Sequence, residues 1–283
     1  TGRMRYTALT NDEGGILDDL MVTNVGDYLF LVVNAARRDV DIPHLREYLP
    51  GDLIEELNRA LIALQGPAAA SVLDHIAPGA ASLAFMQAAP FVVDGVRLAI
   101  LRSGYTGEDG FEITIPAADA ERIARLLLDD PLVEPAGLGA RDSLRLEAGL
   151  CLYGNDIDEK TTLIEAGLGW VIAKRRRSEG GFPGADLVLR QIEEGVSRRR
   201  VGILLDGRAP ARAHAEIRDA AGAAIGEVTS GGFGPTVGRA IAMGYVSSGC
   251  ATAGTMVSLV VRDKPITGRI VDLPFVPHRY YRN

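Results

Sequence analysis

Residues 140–158 read ARDSLRLEAGLCLYGNDID, which predicts a helix followed at once by a tight corner. The spacing of apolar residues over 138–148 predicts that Leu138, Leu144 and Ala148 share one face of that helix. A glycine follows the last helical residue, and the segment CLYGNDID predicts a compact turn.

The same helix carries two arginines, Arg141 and Arg145, one turn apart. Like charges at this spacing repel each other on a helix surface. At least one of them is therefore expected to pair with a carboxylate, either in the protein or in a ligand. Ordinary surface electrostatics is the other interpretation of the pair.

Upstream of this stretch, apolar runs alternate with helical spacing. Residues 27–34 and 57–64 are typical of buried strands, residues 39–49 of a helix, and Pro67 of the first turn of another helix. The Asp-Gly pair at 94–95, between two apolar runs, predicts a tight hairpin. Mixed or antiparallel sheets with covering helices, an α+β fold, are expected here.

Downstream of Ser197 the helical pattern stops and short strand-like runs follow one another. Such runs with turn residues between them predict a C-terminal antiparallel β-barrel as a separate unit. We therefore expect a first domain over 1–196, built from two interleaved subdomains, and a barrel domain over 197–283. The glycine-rich segment 230–235 is typical of a loop. The predicted strands are 201–205, 215–218, 225–230, 239–246, 255–261 and 267–273.

Composition excludes several classes of function. A formal net charge of -7 argues against nucleic-acid binding, which depends on a basic surface. The two cysteines have no CxxC spacing and the four histidines no HxxxH spacing, so no metal site is expected. No apolar run approaches the length that spans a bilayer, so no membrane role is expected.

Two adjacent acids, Asp18 and Asp19, close the segment GGILDD. On a strand they would point to opposite sides, so at most one would enter a given pocket. A buried aspartate there could accept a proton, orient an amine or stabilise a cation. An acidic turn exposed to solvent has the same sequence pattern.

A glycine-rich turn, SGYTGEDG, leads into the strand-like run FEITI. Alternation places Glu112 on the face opposite Phe111 and Ile113. A carboxylate in that position can accept two parallel hydrogen bonds from a planar aminopyrimidine-type edge, although a solvent-facing glutamate would show the same spacing. Near the C-terminus, PFVP is followed by Tyr280 and Tyr281, whose rings could pack in a core or stack on a ligand.

Together these segments resemble the aminomethyltransferase family of the glycine cleavage system, the T-proteins. The segments occur in the family's order along nearly the whole chain: GGILDDL, ALQGP, GYTGEDGFEI, ARDSLRLEAGLCLYGNDID, EVTSGGFGPTVG and PFVPHRYY. The resemblance implies the folate-binding aminomethyltransferase fold. It also implies transfer of a one-carbon unit from aminomethyl-lipoyl H-protein to tetrahydrofolate, with release of ammonia and formation of 5,10-methylenetetrahydrofolate.

The resemblance also assigns roles to residues of this chain. Asp19 would be the catalytic acid, and Glu112 would bind the pterin edge. Arg141 would contact the ligand, Tyr280 would close the folate site, and Asn34 in VVNA would lie beside it. The implied co-substrate is tetrahydrofolate and the implied partner is the lipoylated H-protein, with no metal, nucleic acid or membrane.

Departures from the family pattern are few. The resemblance implies a further N-terminal segment ahead of GGILDD, which this sequence lacks, and Leu163 stands where the family usually has proline. The alternative assignment is the folate-binding domain of a dimethylglycine or sarcosine dehydrogenase, or of a demethylase. An accessory folate-binding protein is disfavoured because its Lys-Gly-Cys order is absent. The expected compartment is the bacterial cytoplasm, or the mitochondrial matrix in a eukaryote.

Overall fold

A computed structural model describes residues 1–261 and 264–282. It contains a three-stranded sheet, a four-stranded sheet and a closed six-stranded barrel, with helices packed around the two sheets. All strand pairs are antiparallel. The predicted α+β class with a C-terminal antiparallel barrel is confirmed.

The first sheet has the order β1-β2-β3 and carries the GGILDD segment. Its strands are β1 (Arg3–Thr10), β2 (Ile16–Asn24) and β3 (Leu29–Val32), and helix α1 (Arg38–Tyr48) follows after a 3₁₀ turn. Ile16 and Leu20 point into the core, and the intervening Asp18 is fully buried on the same face. The buried position of an acid among apolar residues marks this sheet as unusual.

The second sheet has the order β4-β7-β6-β5. Its strands are β4 (Arg59–Gln65), β5 (Ala88–Val93), β6 (Val96–Leu101) and β7 (Gly110–Pro116), and it is covered by α2 (Ala69–Ile76) and α3 (Ala120–Leu128). The predicted Asp94-Gly95 hairpin is confirmed, since Val93 pairs with Val96 and both turn residues have positive φ, at 48° and 76°.

Helix α4 (Leu138–Glu147) joins this region to the barrel, and α5 (Lys174–Glu179) and α6 (Ala185–Glu194) follow it. The predicted apolar face of α4 is wrong at Leu138, which is 83% exposed. The helix packs through its C-terminal turn, where Leu146 joins Ile241 and Met243 in an apolar cluster. Its N-terminal end therefore projects into solvent.

The barrel closes in the order β10-β11-β8-β13-β12-β9. The loop predicted over 230–235 is wrong, because β10 continues to Gly234. A side chain at Gly231 would place its Cβ 2.1 Å from the carbonyl oxygen of Ala211, so this glycine permits close packing within a strand. The barrel strands are β8 (Arg198–Leu205), β9 (Glu216–Arg218), β10 (Ala224–Gly234), β11 (Arg239–Ser247), β12 (Met256–Val261) and β13 (Lys264–Val271).

After β13 the chain returns to the first part of the molecule. The amide of Val276 donates to Glu147 O at 3.0 Å, and the amide of Phe85 donates to Tyr281 O at 2.8 Å. The tail therefore connects the end of α4 with the segment before β5. Within the described residues, no helix is both long and apolar enough to cross a bilayer.

Candidate active site

Asp19 lies on β2 with its carboxylate held by two side chains from either side. The Tyr6 hydroxyl on β1 donates to Oδ2 at 3.0 Å, and the Asn34 Nδ2 group donates to Oδ1 at 3.1 Å. In the β1–β2 register Ala8 pairs with Asp19, so Tyr6 is its diagonal neighbour on the same face. The structure thus brings two of the sequence-predicted residues, Asp19 and Asn34, into direct contact.

The environment of Asp19 favours its protonated form more than water does. Burial raises the pKa of this carboxyl above its usual range, and the negative charge of Asp18 acts in the same direction. The hydrogen bonds from Tyr6 and Asn34 oppose that rise because they stabilise the carboxylate. A carboxyl balanced in this way can exchange a proton closer to neutral pH than a solvated aspartate does.

Asn34 bridges both members of the acid pair. Its Nδ2 group donates to Asp18 Oδ1 at 2.8 Å as well as to Asp19, and its main-chain amide donates to Asp18 Oδ2 at 3.1 Å. Strand alternation predicted that the two acids serve opposite sides. Asn34 reaches both because β3 ends at Val32, and the chain beyond it is free of the ladder at the edge of the sheet.

Glu112 lies on β7 facing away from the apolar core, as the alternation predicted. The Ser103 hydroxyl donates to its Oε2 atom at 2.7 Å. Gln65 holds the surrounding backbone, since its Nε2 group donates to Ser103 O and to Phe111 O, each at 3.0 Å. Next to it, Gly104 has no room for a side chain, because a Cβ there would lie 1.8 Å from Gln65 Oε1.

The two arginines of α4 have different environments. Arg145 is buried and donates to Asp156 at 2.6 Å, to Asp142 at 2.8 Å and to Ser230 at 2.9 Å. Arg141 is exposed, and its guanidinium lies 4.5 Å from the centre of the Tyr105 ring. Among the described residues Arg141 makes no salt bridge, so its charge faces solvent or a ligand.

Tyr105 links these groups electrostatically. Its hydroxyl donates to the carbonyl of Cys151, and burial raises its pKa well above the usual range. The charges of Asp156 and, less strongly, Asp19 add to that rise, while Arg145 opposes it. Because Tyr105 follows Ser103 and Gly104, the turn that contacts Glu112 also carries the ring beneath Arg141.

Tyr280 packs against Phe85 and His278. Its ring stacks on Phe85 with 4.0 Å between centres and 5° between planes, and burial raises its pKa. Among the described residues no hydrogen bond joins Tyr280 to Asp19, Glu112 or Arg141. Its connection to them runs through the chain, since Met86, next to Phe85, donates to the carbonyl of Arg102 at 2.9 Å.

Two aromatic residues of the site were missed in the sequence. Tyr6 was missed because its role depends on the β1–β2 register, and Trp170 because its contact is made across distant segments. The Trp170 ring stacks on Tyr6 with 5.7 Å between centres and is 64% exposed, so it borders the acid site from the solvent side. The signal available for Tyr6 was its position, thirteen residues before Asp19 on the other strand of a short hairpin.

The donor set suits an organic ligand. The sequence-predicted residues and Tyr105 present carboxylates at Asp19 and Glu112, a guanidinium at Arg141 and flat rings at Tyr105 and Tyr280. Side chains of these kinds can bind an organic molecule through hydrogen bonds, ion pairs and ring stacking. Within the described residues no group of three histidine, cysteine or acidic side chains is arranged to hold a metal ion.

Comparisons with known proteins show which family this chain is related to. Residues 1–176 match the model of the GCVT N-terminal domain, and residues 198–277 match that of the glycine cleavage T-protein C-terminal barrel domain. Mitochondrial aminomethyltransferases of Solanum tuberosum and Pisum sativum are each 48% identical over 99% of this chain and 72% of their own length.

A solved structure has the same fold. The glycine cleavage system aminomethyltransferase T from Bartonella henselae has a TM-score of 0.93 and 46% identity, over 99% of this chain and 78% of that one. These relatives favour the transferase over the dehydrogenase-domain alternative. The chain belongs to the T-protein family, the aminomethyltransferases of the glycine cleavage system.

Proposed function

We propose that this aminomethyltransferase accepts the aminomethyl group carried by the lipoyl arm of the H-protein and uses tetrahydrofolate as its co-substrate. The two folate N–H bonds are exchanged for two N–C bonds to the transferred carbon. One proton leaves with ammonia and the other with the lipoyl thiol, so atoms and charge balance. The observation that carries the proposal is the half-buried Asp19 carboxylate between Tyr6 and Asn34.

Asp19 would act on the reacting atoms. A carboxylate fixed by two donors can orient the attacking folate amine and stabilise positive charge at the transferred carbon. Because burial raises the pKa of Asp19, it can also take up a proton during the reaction at a pH closer to neutral. Tyr6 and Asn34 would hold its orientation.

Glu112, Arg141 and Tyr280 would bind the folate. Among the described residues, Ser103 is the side chain that donates to Glu112, and it engages Oε2 alone, which leaves acceptor capacity for the pterin edge. Arg141 can pair with an acidic group of the ligand. Tyr280, stacked on Phe85, would close the site with a flat ring.

The domain roles, the docking surface for the H-protein and the compartment are the other parts of the proposal. Residues 1–196 would bind folate and residues 197–283 would support them as the barrel domain. Residues Arg175 to Arg177 on α5 are the candidates for docking an acidic H-protein. Arg176 and Arg177 donate to main-chain carbonyls, and the exposed Arg175 lies 3.8 Å from Glu179, a surface pair that a partner's acid could replace. We place the enzyme in the cytoplasm of a bacterium or the mitochondrial matrix of a eukaryote.

Tetrahydrofolate binding measured by calorimetry tests the proposal. We expect wild type to bind, Glu112→Ala to lose about tenfold or more in affinity, and the exposed Glu121→Ala to bind like wild type. Ammonia release from aminomethylated H-protein is the second readout. Folate binding without any release of ammonia would leave a binding protein and overturn the transferase mechanism.

A further inference from the structure

Asp41, in the first turn of α1, is a buried acid. It is 1% exposed, and both of its carboxyl oxygens are buried without a hydrogen-bond partner among the described residues. An ionised carboxylate in that state is strongly destabilising, because nothing replaces the water it has lost. The neighbourhood must therefore supply either a cation or a proton.

The nearest cation does not supply the missing contact. Arg37 donates through Nε to Leu17 O at 2.8 Å and through Nη2 to Glu159, and its guanidinium lies over the Tyr153 ring. Its charge acts on Asp41 without a hydrogen bond among the described residues. Apart from Arg37, the charged groups that act on Asp41 are the acids Asp18 and Asp19.

After burial, the group that acts most strongly on Asp41 is Asp18, whose hydrogen bond and negative charge both raise the pKa of Asp41. Asp18 is also fully buried, and Asn34 already donates to both of its oxygens. Two carboxylates cannot hydrogen-bond to each other, but a carboxyl and a carboxylate can, with one shared proton. One proton satisfies the otherwise unpartnered carboxyl of Asp41.

We propose that Asp41 is a positioning residue, which shares one proton with Asp18 and so keeps Asn34 aligned against the carboxylate of Asp19. The shared proton fixes the orientation of Asp18. Both Asp18 oxygens then accept hydrogen bonds from Asn34, and the side-chain amide of Asn34 is thereby directed to Asp19. The catalytic consequence rests on the proposed role of Asp19, whereas the shared proton itself does not.

The charges around the pair agree with this arrangement. Burial, the facing Asp18 and the nearby Asp19 all raise the pKa of Asp41, while Arg37 opposes them, and the result is a pKa of about 7. Below that pH Asp41 is mostly protonated and can donate to Asp18. Above it a further charge appears beside Asp18 and Asp19, and the resulting repulsion loosens the hold on Asn34.

The raised pKa of Asp41 makes the stability of the protein depend on pH. A carboxyl whose pKa is higher in the folded chain than its ordinary 3.8 binds a proton that the unfolded chain releases. The free energy of unfolding therefore falls as pH rises from about 4 to about 7, and stays lower above that. Asp41→Asn keeps a donor toward Asp18 and removes the ionisation.

Thermal unfolding between pH 4 and pH 8 tests the shared proton without any turnover assay. We expect Asp41→Asn to unfold at a higher temperature than wild type at pH 8, with a gap that closes near pH 4. The exposed Asp39→Asn, two residues away on α1, is the matched control and should follow wild type throughout. Identical pH dependence in wild type and Asp41→Asn would overturn the proposal.

The pH profile of kcat tests the positioning role. We expect wild type to lose activity above about pH 7 through this pair, and Asp41→Asn to have a flatter alkaline limb. Asp41→Ala should lower kcat about tenfold with little change in KM for tetrahydrofolate, because ground-state binding is untouched. If the alkaline limb of the kcat profile is the same in Asp41→Asn as in wild type, Asp41 has no positioning role. A wild type that unfolds as expected but never turns over would instead count against the proposed function.

Discussion

Two buried acidic clusters in this enzyme are satisfied in opposite ways. At the contact of α4 with the barrel, Asp156 accepts hydrogen bonds from Arg145, Ser230 and Thr229. At the first sheet, Asp18 on β2 and Asp41 on α1 are equally buried but receive no side-chain cation as a hydrogen-bond donor among the described residues. The first cluster joins two parts of the fold through a buried ion pair, whereas in the second the pKa of Asp41 is raised to about 7.

Removing the acid of the first cluster should have the largest effect on stability. Asp156→Ala leaves the Arg145 guanidinium buried without its main partner, so we expect the free energy of unfolding to fall by about 3–5 kcal/mol. Urea denaturation measures it. The exposed Asp52→Ala is the control and should stay within about 0.5 kcal/mol of wild type. A loss as small as the control's would contradict the structural role of this cluster.

Asp19→Asn should have the largest effect on turnover. The amide can still accept from Tyr6, but it lacks the negative charge, so we expect kcat to fall by about 10²–10³-fold while tetrahydrofolate affinity changes little. Ammonia release under single-turnover conditions measures the loss. Asp27→Asn, at an exposed position just beyond β2, is the matched control. Near-normal turnover would exclude Asp19 from the reaction.

The two arginines of α4 should separate binding from stability. Arg141→Ala should weaken tetrahydrofolate binding by about 1.5–3 kcal/mol, as expected for a hydrogen bond to a charged group, and leave unfolding unchanged. Arg145→Ala should destabilise the protein, because Asp156 then remains buried without its cation. Calorimetry and urea denaturation on both variants check this. Equal effects of the two substitutions on both measurements would contradict it.

Tyr6→Phe should have the smallest effect, on pH dependence. The lost hydrogen bond stabilises the Asp19 carboxylate, so the pKa of Asp19 should rise further. If the carboxylate is the active form, activity is lost as pH falls through that pKa, and the acid limb of kcat should move to higher pH. A bond of about 0.5–1.5 kcal/mol corresponds to a shift of about one pH unit or less. A shift to lower pH would contradict the assigned hydrogen bond.

Local patterns in the sequence were sufficient for most of the fold. The Asp94-Gly95 turn, the helix after Pro67 and the run of short barrel strands each depend on neighbouring residues, and each is confirmed. Predictions from local sequence patterns failed where packing between distant segments determines the structure. Gly231 is typical of a loop by composition, yet it lies in strand β10. A glycine is needed there because Ala211 approaches too closely for a side chain.

The candidate site was predictable in its motifs but not in its supporting residues. Asp19 and Asn34 meet in the structure, and Glu112 faces away from the core as alternation requires. Tyr6 depends on a strand register, which was not visible in the sequence pattern. Asp41 depends on burial: on a helix whose sequence includes several charged residues, nothing local distinguishes it from the exposed Asp39.

The tail after β13 has a consequence for the order in which this enzyme folds. The bond between the Phe85 amide and Tyr281 O joins positions that are 196 residues apart, the difference between 281 and 85. Contacts between such distant positions close large loops and form late, after local hairpins. Pulse-labelling hydrogen exchange should therefore find the Phe85 amide protected after the β5–β6 hairpin, and Tyr280 would join the site in one of the last steps of folding.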